Sequence, residues 1–217
     1  MAGMINMRGI NKGPEPKELT LYKAQHDAVY DGPKFTPVKK KIREKILIEQ
    51  GYTCAYCMSR ITESEMKIEH WACQNNNIDI QLAYNNLLGC CKGSEGSPLS
   101  DQTCDTKKGN KDIKYSPANK EHNLDLKISY KSDWRICSPD SEFDLQLNKV
   151  LNLNKQRLIQ NRLASIKTLR RLLDEKKGPR NKTEIQKLLT KVKGKNSNGE
   201  FMPYYGVLIF YLEKKLA

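Results

Sequence analysis

Three observations predict an α+β fold for this chain of 217 residues. Cysteines cluster between residues 54 and 104 among short apolar pieces separated by loops, an alternating stretch follows at 126–138, and beyond residue 155 apolar residues recur every three or four positions. These describe a small core of short strands braced by a metal, then a hairpin, then a mostly helical C-terminal part. The predicted organisation is an N-terminal arm and helix over 1–50, the cysteine-braced core over 51–115, and a hairpin with a basic helical region over 116–217. A chain of this length can bury one substantial core, or a small core with a helical extension.

Taken in order, residues 1–38 are rich in Pro, Gly and polar residues without sustained periodicity, which predicts an extended arm. The stretch "PVKKKIREKILIEQGYT" reads as a helix, with Val38, Ile42 and Ile46 on one face and Gly51 as its stop. "LKISYKSDWRICS" alternates on both sides of a Lys-Ser-Asp turn and predicts a β-hairpin. Ile159, Leu163, Ile166, Leu169 and Leu173 then line one face of a helix, with Arg162, Lys167, Arg170 and Arg171 between them and Gly178-Pro179 as the terminator. A further helix opens on Asn181 as N-cap with Glu184 three residues on, followed by Ile185, Leu188, Leu189 and Val192. "KGKNSNGE" reads as a loop. "YYGVLIFYLEKKL" is apolar on most sides, a helix either buried in this chain or docked on a partner.

The formal charge is +13, and residues 149–195 alone hold 15 Lys and Arg against 3 Asp and Glu. Such a basic segment suits nucleic acid or an acidic protein surface; the plain alternative is a set of solvated helices. No apolar run approaches the ~20 residues of a membrane span, and the start of the chain lacks the apolar stretch of a signal peptide. The expectation is a soluble, cytoplasmic protein without membrane attachment. Seven cysteines in that compartment are reduced thiols, and their clustering points to a metal.

Cys54 and Cys57 in "CAYC", Cys91 in "NLLGCC" and Cys104 in "TCDTKKG" supply two pairs of thiolates, the donor set of a structural zinc site. Cys90, beside Cys91, is an alternative third ligand, whereas Cys73 and Cys137 read as small buried thiols. Between the pairs lies "MKIEHW". Hydrolysis of a phosphodiester needs a general base for water and a divalent cation for the phosphate and leaving oxygen. His70 suits the base role, and Glu69 with Asp105 can hold Mg²⁺ or Mn²⁺. Glu69 and His70 are expected on opposite sides of a short strand. Lys107 and Lys108 are candidate phosphate contacts. Trp71 reads as packing, and His26 and His122 as surface or structural residues.

The order Cys54-x-x-Cys57, Glu69-His70, Asn86-Leu87, Cys91, Cys104-Asp105-x-x-Lys108-Gly109 resembles the HNH endonuclease motif, in the subgroup braced by a four-cysteine zinc site. The resemblance implies a ββα-metal (His-Me finger) core in which His70 is the general base and Glu69 the acidic residue beside it. It also implies that Asn86 holds the loop in shape and that Asp105 is the last metal ligand. Two departures stand out: residues 92–103, "KGSEGSPLSDQT", open the second cysteine pair, and Asp105 replaces the usual His or Asn. With "KGPEP", "SPANKEH" and "EFDLQLNKVLNLN" added, residues 8–165 are similar to the HNH nucleases of Septu anti-phage defence and their retron-associated relatives. That similarity implies an effector nuclease with an ABC-type ATPase partner, a DNA substrate with RNA also open, and retron components as further partners. Two other readings use the same residues: a non-catalytic zinc-braced nucleic-acid-binding or scaffold protein, and a stand-alone restriction-type HNH nuclease.

Overall fold

A computed structural model of the chain describes residues 9–174, 178 and 180–217. Among the described residues, eight α-helices and two two-stranded sheets give an α+β protein. Helices α1 (Lys17–Lys23) and α2 (Phe35–Glu49) precede strands β1 (Met66–His70) and β2 (Leu87–Cys91) and the short α3 (Cys104–Lys108). Then come α4 (Leu124–Lys127), β3 (Ser129–Tyr130), β4 (Ile136–Cys137) and α5 (Ser141–Leu145), which runs into a π-helical turn at Gln146–Val150. The long α6 (Gln156–Asp174), α7 (Lys182–Lys193) and α8 (Tyr205–Leu216) close the chain.

The arm is not wholly extended as expected. It contains α1, which buries Leu19 and Tyr22 and packs on α2; two apolar residues three apart are too short a signal for periodicity to register. Helix α2 forms as predicted, burying Phe35, Val38, Ile42 and Ile46. It lies close on β2, where a Cβ at Gly89 would stand 2.8 Å from Ile46 Cγ2. The Gln50 side chain fastens the helix end to that strand: its amide donates to Thr53 O (2.7 Å) and Gly89 O (2.8 Å) and accepts from Gly89 N (2.7 Å). Strands β1 and β2 pair antiparallel, from Met66 opposite Cys91 to His70 opposite Leu87.

The predicted hairpin is present but short, with Ser129 opposite Cys137 and Tyr130 opposite Ile136; Leu126 and Lys127 belong to α4 instead. Helix α6 is rotated from its expected face. Its buried line is Leu158, Arg162, Ile166 and Leu169, so Arg162, expected among the solvent-facing cations, is 3% exposed. The guanidinium donates to Trp134 O (2.8 Å), twice to Leu153 O (3.0 Å each) and to Asn154 Oδ1 (3.1 Å). Loop carbonyls buried under α6 need donors, and only a long forked side chain reaches several at once. A periodicity argument counts that residue simply as polar.

Gly178 adopts the left-handed conformation (φ +91°) expected of a helix terminator; its companion Pro179 lies outside the described residues. Helix α7 opens on the predicted capping box, with Asn181 Oδ1 accepting from Glu184 N (2.9 Å) and Glu184 Oε2 from Asn181 N (3.3 Å). Of the two readings of the C-terminal apolar stretch, the buried one holds: α8 inserts Val207, Leu208, Ile209 and Leu212 into the core against α7 and α6. Gly206 lets it approach the cysteine loop, since a Cβ there would meet Met58 Sδ at 2.7 Å. Among the described residues no helix is long and apolar enough to cross a membrane.

Candidate metal centre and adjoining cleft

Cys54 and Cys57 come from the loop after α2, Cys91 from the end of β2, and Cys104 from the start of α3. Their four sulfurs all lie within 4.8 Å of one another. Cys57 Sγ and Cys91 Sγ are 3.8 Å apart, and four thiolates placed tetrahedrally around zinc stand about 3.8 Å apart. The cluster therefore fits a metal ion such as zinc. Hydrogen bonds from Cys104, Cys54 and Cys57 draw the Cys91 thiol down, the response of one thiolate collecting its neighbours' protons.

The choice between Cys90 and Cys91 is made by the strand pleat, which sends successive side chains to opposite faces. Cys91 joins the cluster, and Cys90 is fully buried in the apolar core. The insertion 92–103 does not disturb the fourth ligand, because the loop closes at its own base. Thr103 N donates to Gly93 O (2.8 Å). Gly93 is left-handed (φ +56°) and so close to the returning chain that a Cβ would meet Thr103 O at 2.0 Å. Asn152 Nδ2 donates to Ser100 O (3.1 Å) and Gln102 O (2.9 Å), Arg157 Nη2 to Thr103 Oγ1 (2.6 Å), and Cys104 N to Leu151 O (2.9 Å).

Beside the cluster a cleft of about 370 Å³ is lined by Glu69 and His70 of β1, Asp105 and Lys108 of α3, and Lys39 and Arg43 of α2. Glu69 and His70 were expected on opposite sides of their strand, yet both line this cleft, since His70 is the last residue of β1. His70 Nε2 lies 2.9 Å from Gln81 O. A carbonyl only accepts, so Nε2 carries the proton and Nδ1 keeps its lone pair. The Tyr30 and His70 rings meet edge to face, with centroids 4.4 Å apart. Burial holds the His70 pKa below its usual value, so the ring is neutral at physiological pH.

Glu69 is 5% exposed. Its Oε1 accepts from Tyr56 Oη (3.0 Å) and pairs with Lys108 Nζ (2.7 Å). Burial, and then the neighbouring Asp105 carboxylate, pushes its carboxyl up to about 9 against the pull of Lys108. Asp105 is in turn 3.4 Å from Lys67 Nζ. Two carboxyl groups are thus brought together in a poorly solvated place, and these donors among the described residues meet Glu69 at Oε1.

Asn86 lies behind the cleft rather than in it. Its Oδ1 accepts from Ala72 N (2.8 Å), its Nδ2 donates to Ala72 O (3.0 Å), and its main-chain oxygen accepts from Trp71 N (2.9 Å). These bonds fix the turn that follows His70. Both expected phosphate contacts make hydrogen bonds within the chain. Lys108 is 1% exposed and, besides Glu69, donates to His70 O (3.1 Å), because a buried carboxylate requires a nearby cation. Lys107 donates to Leu99 O (2.8 Å).

His122 is structural, its Nδ1 accepting from Ser116 N (2.7 Å) beside Trp71 and Tyr115, and His26 is exposed. Cys73 is buried and Cys137 half-buried. Sequence reasoning missed Tyr56, Gln81, Tyr30 and Arg43. Tyr56 had a signal, its position inside the Cys-x-x-Cys loop; Gln81 acts through its main chain and had none.

Fold and site together define an α+β protein with a four-cysteine cluster able to hold a metal ion and an ionisable cleft beside it. No protein-family model matches the chain, and no curated protein matches it in sequence.

Proposed function

We propose that the chain is a metal-dependent HNH-type endonuclease whose core is β1, β2 and α3 braced by zinc on Cys54, Cys57, Cys91 and Cys104. The observation that carries this reading is the convergence of Glu69, His70 and Asp105 on one cleft beside the cysteine cluster. His70 Nδ1 takes a proton from water as the water oxygen attacks phosphorus, and the bond from phosphorus to the leaving oxygen breaks. The hydrogen bond to Gln81 O and the Tyr30 ring packed against the imidazole hold it in the tautomer and orientation this requires. Glu69 and Asp105 would hold Mg²⁺ or Mn²⁺, which when bound neutralises the phosphate and the leaving oxygen. Asn86 keeps the turn after His70 in place.

The likeness of residues 8–165 to Septu and retron-associated HNH nucleases supports an anti-phage effector that works with an ABC-type ATPase on DNA or RNA. The test is cleavage of plasmid, single-stranded DNA and bulk tRNA with Mg²⁺ or Mn²⁺, wild type against His70→Ala, alone and with an ATPase encoded beside it. Cleavage lost in the variant supports the reading. Cleavage equal in both, or absent everywhere while nucleic acid still binds, overturns it. The buried Lys108–Glu69 pair favours one competing reading, a zinc-braced binding module in which a lysine permanently compensates Glu69.

A further inference from the structure

Three buried side-chain polar atoms among the described residues have no hydrogen-bond partner: Tyr30 Oη, Arg43 Nε and Trp71 Nε1. Buried donors are almost always satisfied, and leaving one unmet is costly. Two of the three, Tyr30 and Arg43, line the cleft that contains Glu69, His70 and Asp105. That coincidence calls for a ligand.

The charges of the cleft indicate which kind. Lys39 is tied to Asp31 (2.8 Å), Lys67 to Asp105 (3.4 Å) and Glu95 (3.0 Å), and Lys108 to Glu69 (2.7 Å). Each carboxylate of the cleft thus has its own lysine. Arg43, one helical turn beyond Lys39 on α2, is the cleft cation that makes no ion pair among the described residues. Tyr30 stands against His70, with the ring centroids 4.4 Å apart. Its hydroxyl stays protonated, since burial and then the Asp31 carboxylate raise its pKa. An unpaired guanidinium and a phenolic O–H are both donors, one charged. Their complement is an anion with several acceptor oxygens, and the guanidinium fork matches two oxygens of a tetrahedral phosphate.

We propose that Tyr30 and Arg43 form a phosphate-binding site next to His70, which seats a phosphate group of the nucleic-acid strand. The identity of that phosphate as part of a substrate rests on the nuclease reading; the anion site itself does not. In this arrangement Lys107 and Lys108, the cations the motif brings forward, leave phosphate recognition to a residue of α2, outside the motif.

The test uses the full zinc-loaded chain without Mg²⁺, titrated with inorganic phosphate and with the dinucleotide d(TpT). The readouts are the Arg43 Nε–H resonance, assigned by its loss in Arg43→Lys, and, for every variant, the Kd from calorimetric titration. Saturable shifts of that resonance are expected with both probes. Kd should rise about tenfold or more in Arg43→Gln, less in Arg43→Lys, and a few-fold in Tyr30→Phe. Zinc content and melting temperature show whether each variant folds; should Arg43→Gln fail, the wild-type resonance and the single-hydroxyl deletion Tyr30→Phe still decide. An unmoved Arg43 resonance, or d(TpT) affinity equal in all folded variants, overturns the proposal. Phosphate binding without cleavage under any condition leaves the anion site standing and removes the nuclease. Cleavage by an enzyme whose kcat/KM is unchanged in Arg43→Gln does the reverse.

Discussion

Lys108 Nζ lies 2.7 Å from Glu69 Oε1, and both side chains are almost wholly buried. The pair sits at the floor of the cleft, where a divalent cation would be held by the same carboxylate. A cation bound there would share Glu69 with the lysine, which would set how much of the carboxylate's charge remains for it.

Removing that lysine should separate the two contributions. Above about pH 9, where Glu69 is ionised, Lys108→Met is expected to lower the stability of the Mg²⁺-free protein by about 3 kcal/mol, the usual cost of breaking a buried pair. It should lower it less at neutral pH, where Glu69 holds its own proton, and should raise affinity for Mg²⁺. Melts with and without Mg²⁺, together with calorimetric titration, measure both; unchanged stability and unchanged affinity would show that the pair carries no such coupling.

The raised Glu69 pKa gives a sign to the pH dependence. A carboxyl pushed up to about 9 in the folded chain, against 4.5 as its ordinary value, keeps its proton at neutral pH. The folded state without the cation thus binds more protons than the unfolded one, so this group stabilises fully below about 4.5 and its contribution is lost as pH rises towards 9. A divalent cation displaces the proton. Mg²⁺ affinity should climb across the same window with release of close to one proton, which calorimetry in two buffers of different ionisation enthalpy detects; a flat profile contradicts it.

The two adjacent cysteines should behave differently. Cys91→Ser is expected to lose zinc and several kcal/mol of stability together. Cys90→Ser should keep zinc and lose only about 1–2 kcal/mol, for a hydroxyl placed in an apolar site. Metal analysis with thermal melts separates the two, and equal zinc loss in both would put Cys90 in the ligand set.

Arg162 makes a prediction remote from the cleft. Arg162→Ala leaves the carbonyls of Trp134 and Leu153 without their donor and should cost about 3 kcal/mol. Arg162→Lys should recover little of it, because an ammonium does not reproduce the fork. Urea unfolding provides the values; a loss below about 1 kcal/mol would mean water takes over these carbonyls.

Much of this was legible in the residues. The α2 face, the Asn181 capping box and the four-cysteine set follow from local spacing, which the tertiary structure leaves intact. The failures share a cause: they concern side chains whose chemistry is set by what lies across the fold. Arg162 and Lys108 are cations in any sequence pattern, and only the carbonyls and the carboxylate brought against them make them interior residues. Arg43 belongs to the same class, a polar position on α2 until β1 and Tyr30 close the cleft around it. The Gln81 carbonyl that orients His70 has no sequence signature, since every residue has one.

The loop that delivers Cys104 is fastened by Leu151, Asn152 and Arg157, some fifty residues further along the chain. Synthesis runs from the N-terminus, so Cys54, Cys57 and Cys91 leave the ribosome long before the residues that hold the fourth thiol in register. Until about residue 157 emerges, the nascent chain carries three placed thiols and a loosely held fourth. Completion of the metal centre is thereby delayed until most of the chain exists, and a fragment cut after the cysteine-rich segment would lack the fastening that makes the centre whole.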